Sequence, residues 1–296
     1  MVNAWDCFRQ MRDQLTAMGV EESDLEAREL TARAAGLDAR DTFGWNRRPL
    51  SAEEEQAAEQ LLARRRQGEP LAYVLGEWDF YGNRFRVTPG VLIPRGDTEW
   101  LCDAAVQAAR RIPAPRVLDL CCGSGCIGIS LALAVPRAQV IAADCSEAAL
   151  AVTRGNAALH GLDAPRFQAV QADALVPDSI DGDFDLVVTN PPYITAQEMR
   201  ELDHSVDAYE PHLALFGGED GLDFYRAMAQ RPSFRLKPGG CFFAECGWKQ
   251  GEQAAALFRA AGWTGVHLQC DLAGVPRIVC AAAPKNGENT PSTLIL

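Results

Sequence analysis

The chain is poor in positive charge. Its 296 residues carry 28 Lys and Arg against 40 Asp and Glu, a formal net charge of −12. That balance opposes tight non-specific binding to a phosphate backbone, which depends on clustered cations. Histidine is scarce, with four in all, and the ten cysteines show no C-x-x-C pair and no histidines interleaved at ligand spacing. A zinc site or a disulfide framework is therefore not expected; small buried thiols are. Long apolar runs are missing as well. The longest, Cys126 to Val135, is too short to span a bilayer. The first residues, MVNAWDCFRQMRDQL, include acids and no compact apolar stretch, so no signal or transit peptide is read there and a cytoplasmic location is expected. No internal repeat or low-complexity segment occurs. What is present, 48% hydrophobic and 23% charged residues, is the composition of an ordinary soluble protein long enough for two domains. The expected partner is a protein or a small molecule, with no direct nucleic acid and no membrane.

Residues 1–75 read as a small all-helical bundle. Trp5, Phe8, Met11, Leu15 and Met18 recur every three or four residues and form one apolar face. Ser23 with Glu26, and Ser51 with Glu54, have the spacing of capping boxes, and Gly19, Gly36 and Gly68 stand where helices would stop. Arg64, Arg65 and Arg66 form the single basic run, read as a solvated face. Residues 76–90 then alternate, with Trp78, Phe80, Phe85 and Val87 around a Gly82-Asn83 pair, which predicts a β-hairpin linker. Asp97-Thr98-Glu99 opens a helix. From 116 onward strands and helices alternate, the pattern of a doubly wound parallel α/β sheet. Strands are expected near 116–120, 138–143, 166–171, 184–189, 241–246, 264–270 and 276–282, with helices near 125–135, 146–160, 221–231 and 249–261. Lys237-Pro238-Gly239-Gly240 reads as a turn before the fifth strand. The catalytic domain is expected to run over 91–283, followed by a disordered tail over 284–296.

The stretch FDLVVTNPPYI, Phe184 to Ile194, carries the sharpest chemical signal. A buried strand runs into Asn190-Pro191-Pro192-Tyr193, and two prolines cannot continue a strand inside a sheet. In an open α/β sheet ligands lie beyond the carboxyl ends of strands, so Asn190 would face the crevice. Its side-chain oxygen and the Pro191 carbonyl are two acceptors matched to the two hydrogens of one planar –NH2 group. Holding both N–H bonds out of plane localises the nitrogen lone pair and makes it a nucleophile, with Pro192 and Tyr193 shaping the slot and Tyr193 packing on the flat group. A plain proline-rich turn is the alternative.

Upstream, Arg116-Val117-Leu118-Asp119-Leu120 leads into Cys121-Cys122-Gly123-Ser124-Gly125-Cys126-Ile127-Gly128. Glycines let the chain turn from strand to helix and let a ligand approach the backbone. Asp144 ends the next strand, where a carboxylate reaches ribose hydroxyls. Gly123-x-Gly125-x-x-Gly128 also matches the dinucleotide fingerprint. Asp119 argues against that reading, since a carboxylate beside the loop repels pyrophosphate and suits the cationic end of S-adenosylmethionine. The alternative for Asp119 is a cap on the loop amides.

VLDLCCGSGCIGISLA, the Asp144 acid and VVTNPPYI together resemble the class I S-adenosylmethionine-dependent methyltransferases acting on planar nitrogens. EPLAYVLGEWDFYGNRFRVTPGVLIPRGDTE and EPHLALFGGEDGLDFYR are similar to the peptide chain release factor glutamine N5-methyltransferases. The resemblance spans nearly the whole chain and implies a Rossmann-like class I domain, S-adenosyl-L-methionine as cofactor, and the glutamine of a Gly-Gly-Gln loop in class 1 release factors as target, with a monomer expected. By position it implies a cofactor site at Cys121, Cys122, Gly123, Ser124, Gly125, Asp144, Asp173, Ala174 and Asn190, and catalysis at Asn190, Pro191, Pro192 and Tyr193, with no metal. Three residues depart from the family pattern. Cys121 replaces a usual glycine, so that either its φ is negative or the loop is reshaped. Ala174 replaces a frequent aromatic, and Gly96 a proline. Glu210 and Arg95 are candidate supporting groups; His204 and His212 are assigned no role. The rival readings are methylation of a glutamine on a large-subunit ribosomal protein, methylation of an adenine amino group in DNA or RNA, and a non-enzymatic assembly factor that binds S-adenosylmethionine. Residues 88–296 hold 24 acids and 16 bases, which disfavours the nucleic acid.

Overall fold

In the computed structural model, which describes residues 2–230, 232 and 234–283, contacts divide the chain into two units. Met1–Glu77 with Asp203–Tyr209 form one, and Trp78–Leu202 with Glu210–Leu296 the other.

The first unit is helical: α1 Ala4–Ala17, α2 Ser23–Ala35, α3 Ala52–Arg66 and α4 Leu71–Leu75. The apolar stripe of α1 buries Phe8, Met11 and Leu15, whereas Trp5 and Met18 at its margins stay partly exposed. Ser51 and Glu54 form the expected capping box on α3. The other does not form. The cap of α2 is Glu22, with no side-chain bond; Ser23 Oγ accepts from Thr16 Oγ1 at 2.9 Å, and Glu26 is taken by Arg65 at 2.7 and 3.0 Å. A bidentate arginine bond to a carboxylate outweighs a local cap. The same pairing corrects the solvated reading for Arg65 and Arg64, since Arg64 binds Glu69 and the carbonyls of Tyr73 and Val74; Arg66 is exposed as expected, paired at the surface with Glu59.

The second unit begins within a hairpin of β1 Glu77–Phe80 and β2 Asn83–Arg86, at Trp78. Its turn centres on Tyr81 and Gly82, both at positive φ (50° and 72°), one residue before the Gly-Asn pair the sequence suggested. Tyr81 is held in this conformation because its amide donates to Glu99 (2.7 Å) and its hydroxyl to Asp103 (3.0 Å). Although read as a linker, the hairpin packs into this unit's core through Phe80 and Phe85. Asn156 clamps the Arg86 backbone from both sides at 2.8 and 3.0 Å.

Then follow α5 Thr98–Ala109, β3 Arg116–Leu120, α6 Cys126–Ala134, β4 Gln139–Asp144, α7 Glu147–Leu159, β5 Phe167–Gln171 and β6 Asp183–Thr189. After the first unit's α8 His204–Tyr209 come α9 Asp223–Gln230, β7 Arg235–Glu245, α10 Gly251–Ala260, β8 Thr264–Cys270 and β9 Pro276–Ala282. The seven strands lie in the order β5-β4-β3-β6-β7-β9-β8. They are not all parallel, as the alternation suggested, because β9 runs antiparallel to both β7 and β8. Lys237-Pro238-Gly239-Gly240 is not a turn between elements but an irregularity inside β7, whose pairing with β6 skips from Phe184–Leu236 to Leu186–Cys241. The other expected strands match to within about a residue. Val117, Leu186, Val188 and Phe243 point to one face of the sheet and Leu118, Leu120, Phe184, Val187 and Phe242 to the other. Each fully buried Leu, Val or Phe contributes roughly 1.5–3 kcal/mol. The chain leaves β3 for β4 on one side and returns to β6 on the other, so the topological switch lies between β3 and β6. Residues 284–296, the expected tail, lie outside the described residues. No helix among those described is long and apolar enough to cross a membrane.

Candidate active site

At the carboxyl ends of β3, β4 and β6 the loops enclose a cleft of about 180 Å³, lined by Cys121, Cys122, Gly123 and Ser124 after β3, Asp144 after β4, Asp173 and Ala174 after β5, and Asn190 and Pro192 after β6. These are nine of the twelve residues the sequence nominated. The other three stand behind the wall. Gly125 is the N-cap of α6 at φ 78°, where a Cβ would meet Thr153 Cγ2 at 2.8 Å. Pro191 is buried. Tyr193 does not offer its ring to the cleft as expected; its hydroxyl donates to Glu245 Oε1 at 3.4 Å, and its carbonyl accepts from Gln250 Nε2 at 2.9 Å.

Cys121 keeps the left-handed conformation of the glycine it replaces, with φ 58°, so the loop is not reshaped around a negative φ. The strain costs roughly 1 kcal/mol. Burial pushes its thiol well above the usual range, so it stays protonated. Asp144 accepts from the amides of Gly123 and Ser146, each at 2.9 Å. Burial raises its pKa while these amides oppose the rise. The acid is thus fixed in place with lone pairs left to accept hydroxyls.

Asp119 does not do what charge logic assigned to it. It is fully buried and away from the cleft lining, with Oδ2 accepting from the Gly128 amide at 2.8 Å. The capping alternative holds, applied to α6. A Cβ on Gly128 would stand 2.7 Å from that same oxygen. The third glycine of the apparent dinucleotide fingerprint is therefore room for Asp119. Burial pushes the Asp119 carboxyl up to about 7.

One contributor has no local signal in the sequence. Asn190 Nδ2 donates to Thr98 Oγ1 at 3.2 Å, so Oδ1 is the atom Asn190 has left to offer. Thr98 itself is buried at the head of α5 and lines the cleft with Arg95. Arg95 is salt-bridged to the buried Glu210, which also accepts the Ile93 amide at 3.1 Å; the two candidate supporting groups thus hold one rim together. The segment EPHLALFGGEDG braces the other side. Ile194 donates to the Leu215 carbonyl (2.8 Å) and Gly217 to the Ile194 carbonyl (2.9 Å). A Cβ on Gly221 would fall 2.2 Å from the Tyr193 carbonyl oxygen. The segment's glycines let it lie directly on the backbone after Asn190. Among the described residues no histidine lines the cleft, and no group of acids, cysteines and histidines could hold a metal.

The family described as PrmC N-terminal domain matches residues 6–76, and that described as methyltransferase small domain matches residues 102–206. The release factor glutamine methyltransferase of Bordetella pertussis is 42% identical over 268 residues, covering 90% of this chain and 97% of that protein. The protein of that name from Cereibacter sphaeroides is 41% identical over 285 residues, covering 96% and 99%. A solved methyltransferase from Pyrococcus furiosus, 14% identical, superposes with a TM-score of 0.50 over 76% of this chain and 99% of its own; it shares the fold.

Proposed function

The chain belongs to the release factor glutamine methyltransferases and is an S-adenosylmethionine-dependent methyltransferase; from that premise we propose that it methylates the N5 amide nitrogen of the glutamine in the Gly-Gly-Gln loop of class 1 release factors. The residues present fit the donor. Asp144 is a buried acceptor pinned by two amides, suited to a pair of ribose hydroxyls. Ala174 and Leu175 beside Asp173 give an apolar edge for a flat base. Gly123 and Ser124 bring backbone close to the ligand. When bound, the donor supplies an electrophilic methyl carbon.

The chain's own work is on the substrate amide. Asn190 Oδ1 accepts one of its hydrogens, fixes its plane and returns the lone pair to nitrogen; the Pro191 carbonyl, the second acceptor read from the sequence, lies outside the cleft lining. Pro192 walls the slot. The alkylated nitrogen is acidic and releases its proton to water, so no side-chain base is needed. Arg95, Thr98 and Glu210 hold the rim that faces the amide. The observation that carries this reading is the Asn190–Thr98 hydrogen bond, which turns an amide that has two faces into one that presents oxygen. A protein substrate agrees with the acidic second unit, which disfavours nucleic acid.

The test is to incubate the protein and methyl donor with purified release factors, ribosomal proteins and nucleic acid, and to locate any added methyl group by tandem mass spectrometry. A methyl on the release factor glutamine is expected. Methylation confined to a ribosomal protein or a nucleobase overturns the assignment.

A further inference from the structure

The loop after β3 is held from behind by one face of α7. Thr153 and Asn156 lie one turn apart on that helix and both are fully buried. Thr153 Oγ1 donates to the Gly123 carbonyl at 2.8 Å, and its methyl group fills the space beside Gly125, where a Cβ would stand 2.8 Å from it. A hydroxyl has one proton, so Oγ1 meets the Cys122 thiol, 3.5 Å away, as an acceptor. Asn156 Nδ2 donates both of its hydrogens, to the Ser124 carbonyl at 2.9 Å and to the Arg86 carbonyl at 3.0 Å, while Oδ1 accepts the Arg86 amide at 2.8 Å. Two of these partners are carbonyls, which cannot donate, so only this orientation of the side chain satisfies all three. Two consecutive loop carbonyls are therefore taken by α7. Gly123 is gripped at both ends, since its own amide donates to Asp144 at 2.9 Å.

We infer that Thr153 and Asn156 are positioning residues for S-adenosylmethionine: by holding the Gly123 and Ser124 carbonyls from behind they set the loop that the cofactor meets, and Asn156 ties the β-hairpin to that setting. The inference rests on the proposed cofactor site at Gly123, Ser124 and Asp144. Neither side chain lines the cleft, so their influence passes through the loop. An unbroken series of hydrogen bonds runs from Thr153 through Gly123 to the carboxylate assigned to the ribose. Without the Thr153 hydroxyl the Gly123 carbonyl loses its partner, and a glycine at φ 54° has other conformations open to it. The amide that pins Asp144 then moves as well. Asn156 carries the same restraint outward, because its one carboxamide spans the loop and strand β2. A cofactor that stills Ser124 also stills the Arg86 backbone, so the hairpin and the cofactor site share their fluctuations.

The experiment uses S-adenosylmethionine alone as the probe, so it does not depend on which substrate is methylated. Thr153→Val keeps the shape and the methyl group against Gly125 but has no hydroxyl. It should raise the cofactor dissociation constant about 5- to 30-fold by calorimetry, and Thr153→Ser, which keeps the hydroxyl, should stay within about threefold of the parent. In turnover the loss should fall on KM for the cofactor, with kcat lowered by less than about threefold. For the hairpin, hydrogen exchange of the Arg86 amide in the parent should slow by about threefold or more when the cofactor binds. In Asn156→Ala that amide should exchange fast with and without it. Thr153→Val with the affinity of the parent, even if its urea midpoint falls, overturns the inference, and so does a parent Arg86 amide that exchanges alike in both states. Both of these are read without Asn156→Ala having to fold. Gly123 and Ser124 amide resonances of the parent that ignore bound cofactor would strike the placement of the cofactor itself, and the inference falls with it.

Discussion

Gly217 lies so close to the substrate loop that a Cβ would stand 2.7 Å from both the Tyr193 Cα and the Pro192 carbonyl oxygen. Both are main-chain atoms and cannot rotate away. Gly217→Ala should therefore push the loop rather than be absorbed by it. The expected cost is about 1–3 kcal/mol of stability, read as a lower midpoint in urea, with a fall in kcat larger than in Gly96→Ala, where a Cβ meets nothing within 4 Å. Equal turnover in the two variants would mean that the loop's position is immaterial.

Asn190→Ala removes an acceptor at the reacting centre. Loss of one such group from a preorganised site costs on the order of 10²- to 10³-fold in rate. The expected outcome is that loss in kcat with the S-adenosylmethionine dissociation constant within about threefold of the parent, measured by calorimetry.

Asp144→Ala should do the reverse. It deletes the acid held by Gly123 and Ser146, and donor affinity should fall by about 10- to 100-fold, the worth of one or two hydrogen bonds to a charged group. Calorimetry with S-adenosylmethionine reads it directly, and an unchanged isotherm refutes the ribose assignment.

Asp119 makes stability depend on pH. Its folded value, about 7, lies above its ordinary 3.8, so the folded state binds its proton more tightly than the unfolded chain. The contribution is fully present below pH 4 and is lost as pH rises through 7. Glu245 acts in the same direction. Between pH 5 and pH 8 the parent should lose roughly 2–4 kcal/mol more than Asp119→Asn, which cannot ionise. Urea titrations at the two pH values provide the comparison; parallel losses would place the Asp119 titration elsewhere.

Most of the sheet was legible because stretches such as Leu186 to Thr189, and Val117 to Leu120 interrupted only by Asp119, are long enough for strands and run into Asn190-Pro191 and the Cys121–Gly125 loop. Direction was not. A run of apolar residues reads alike along either sense of the chain, so nothing in β9 announces that it runs against β7. Local grammar misled where a distant partner was stronger, as when Arg65 took Glu26 from its capping box across 39 residues. In the site, Asn190 and Asp144 were readable because each ends a strand. Thr98 was not, since it reaches Asn190 across 92 residues. Tyr193 looked like a stacking ring for want of any sign that an acid waited behind it.

The hydrogen bond from Gly128 to Asp119 binds two positions into a single heritable unit. A side chain at 128 has no space while the acid remains, and a Cβ at 128 would stand where the Asp119 oxygen meets the amide. Drift at either site should be tolerated only when the other changes with it, so a GxGxxG pattern in this fold can persist by mutual confinement, with no nucleotide phosphate ever having selected it.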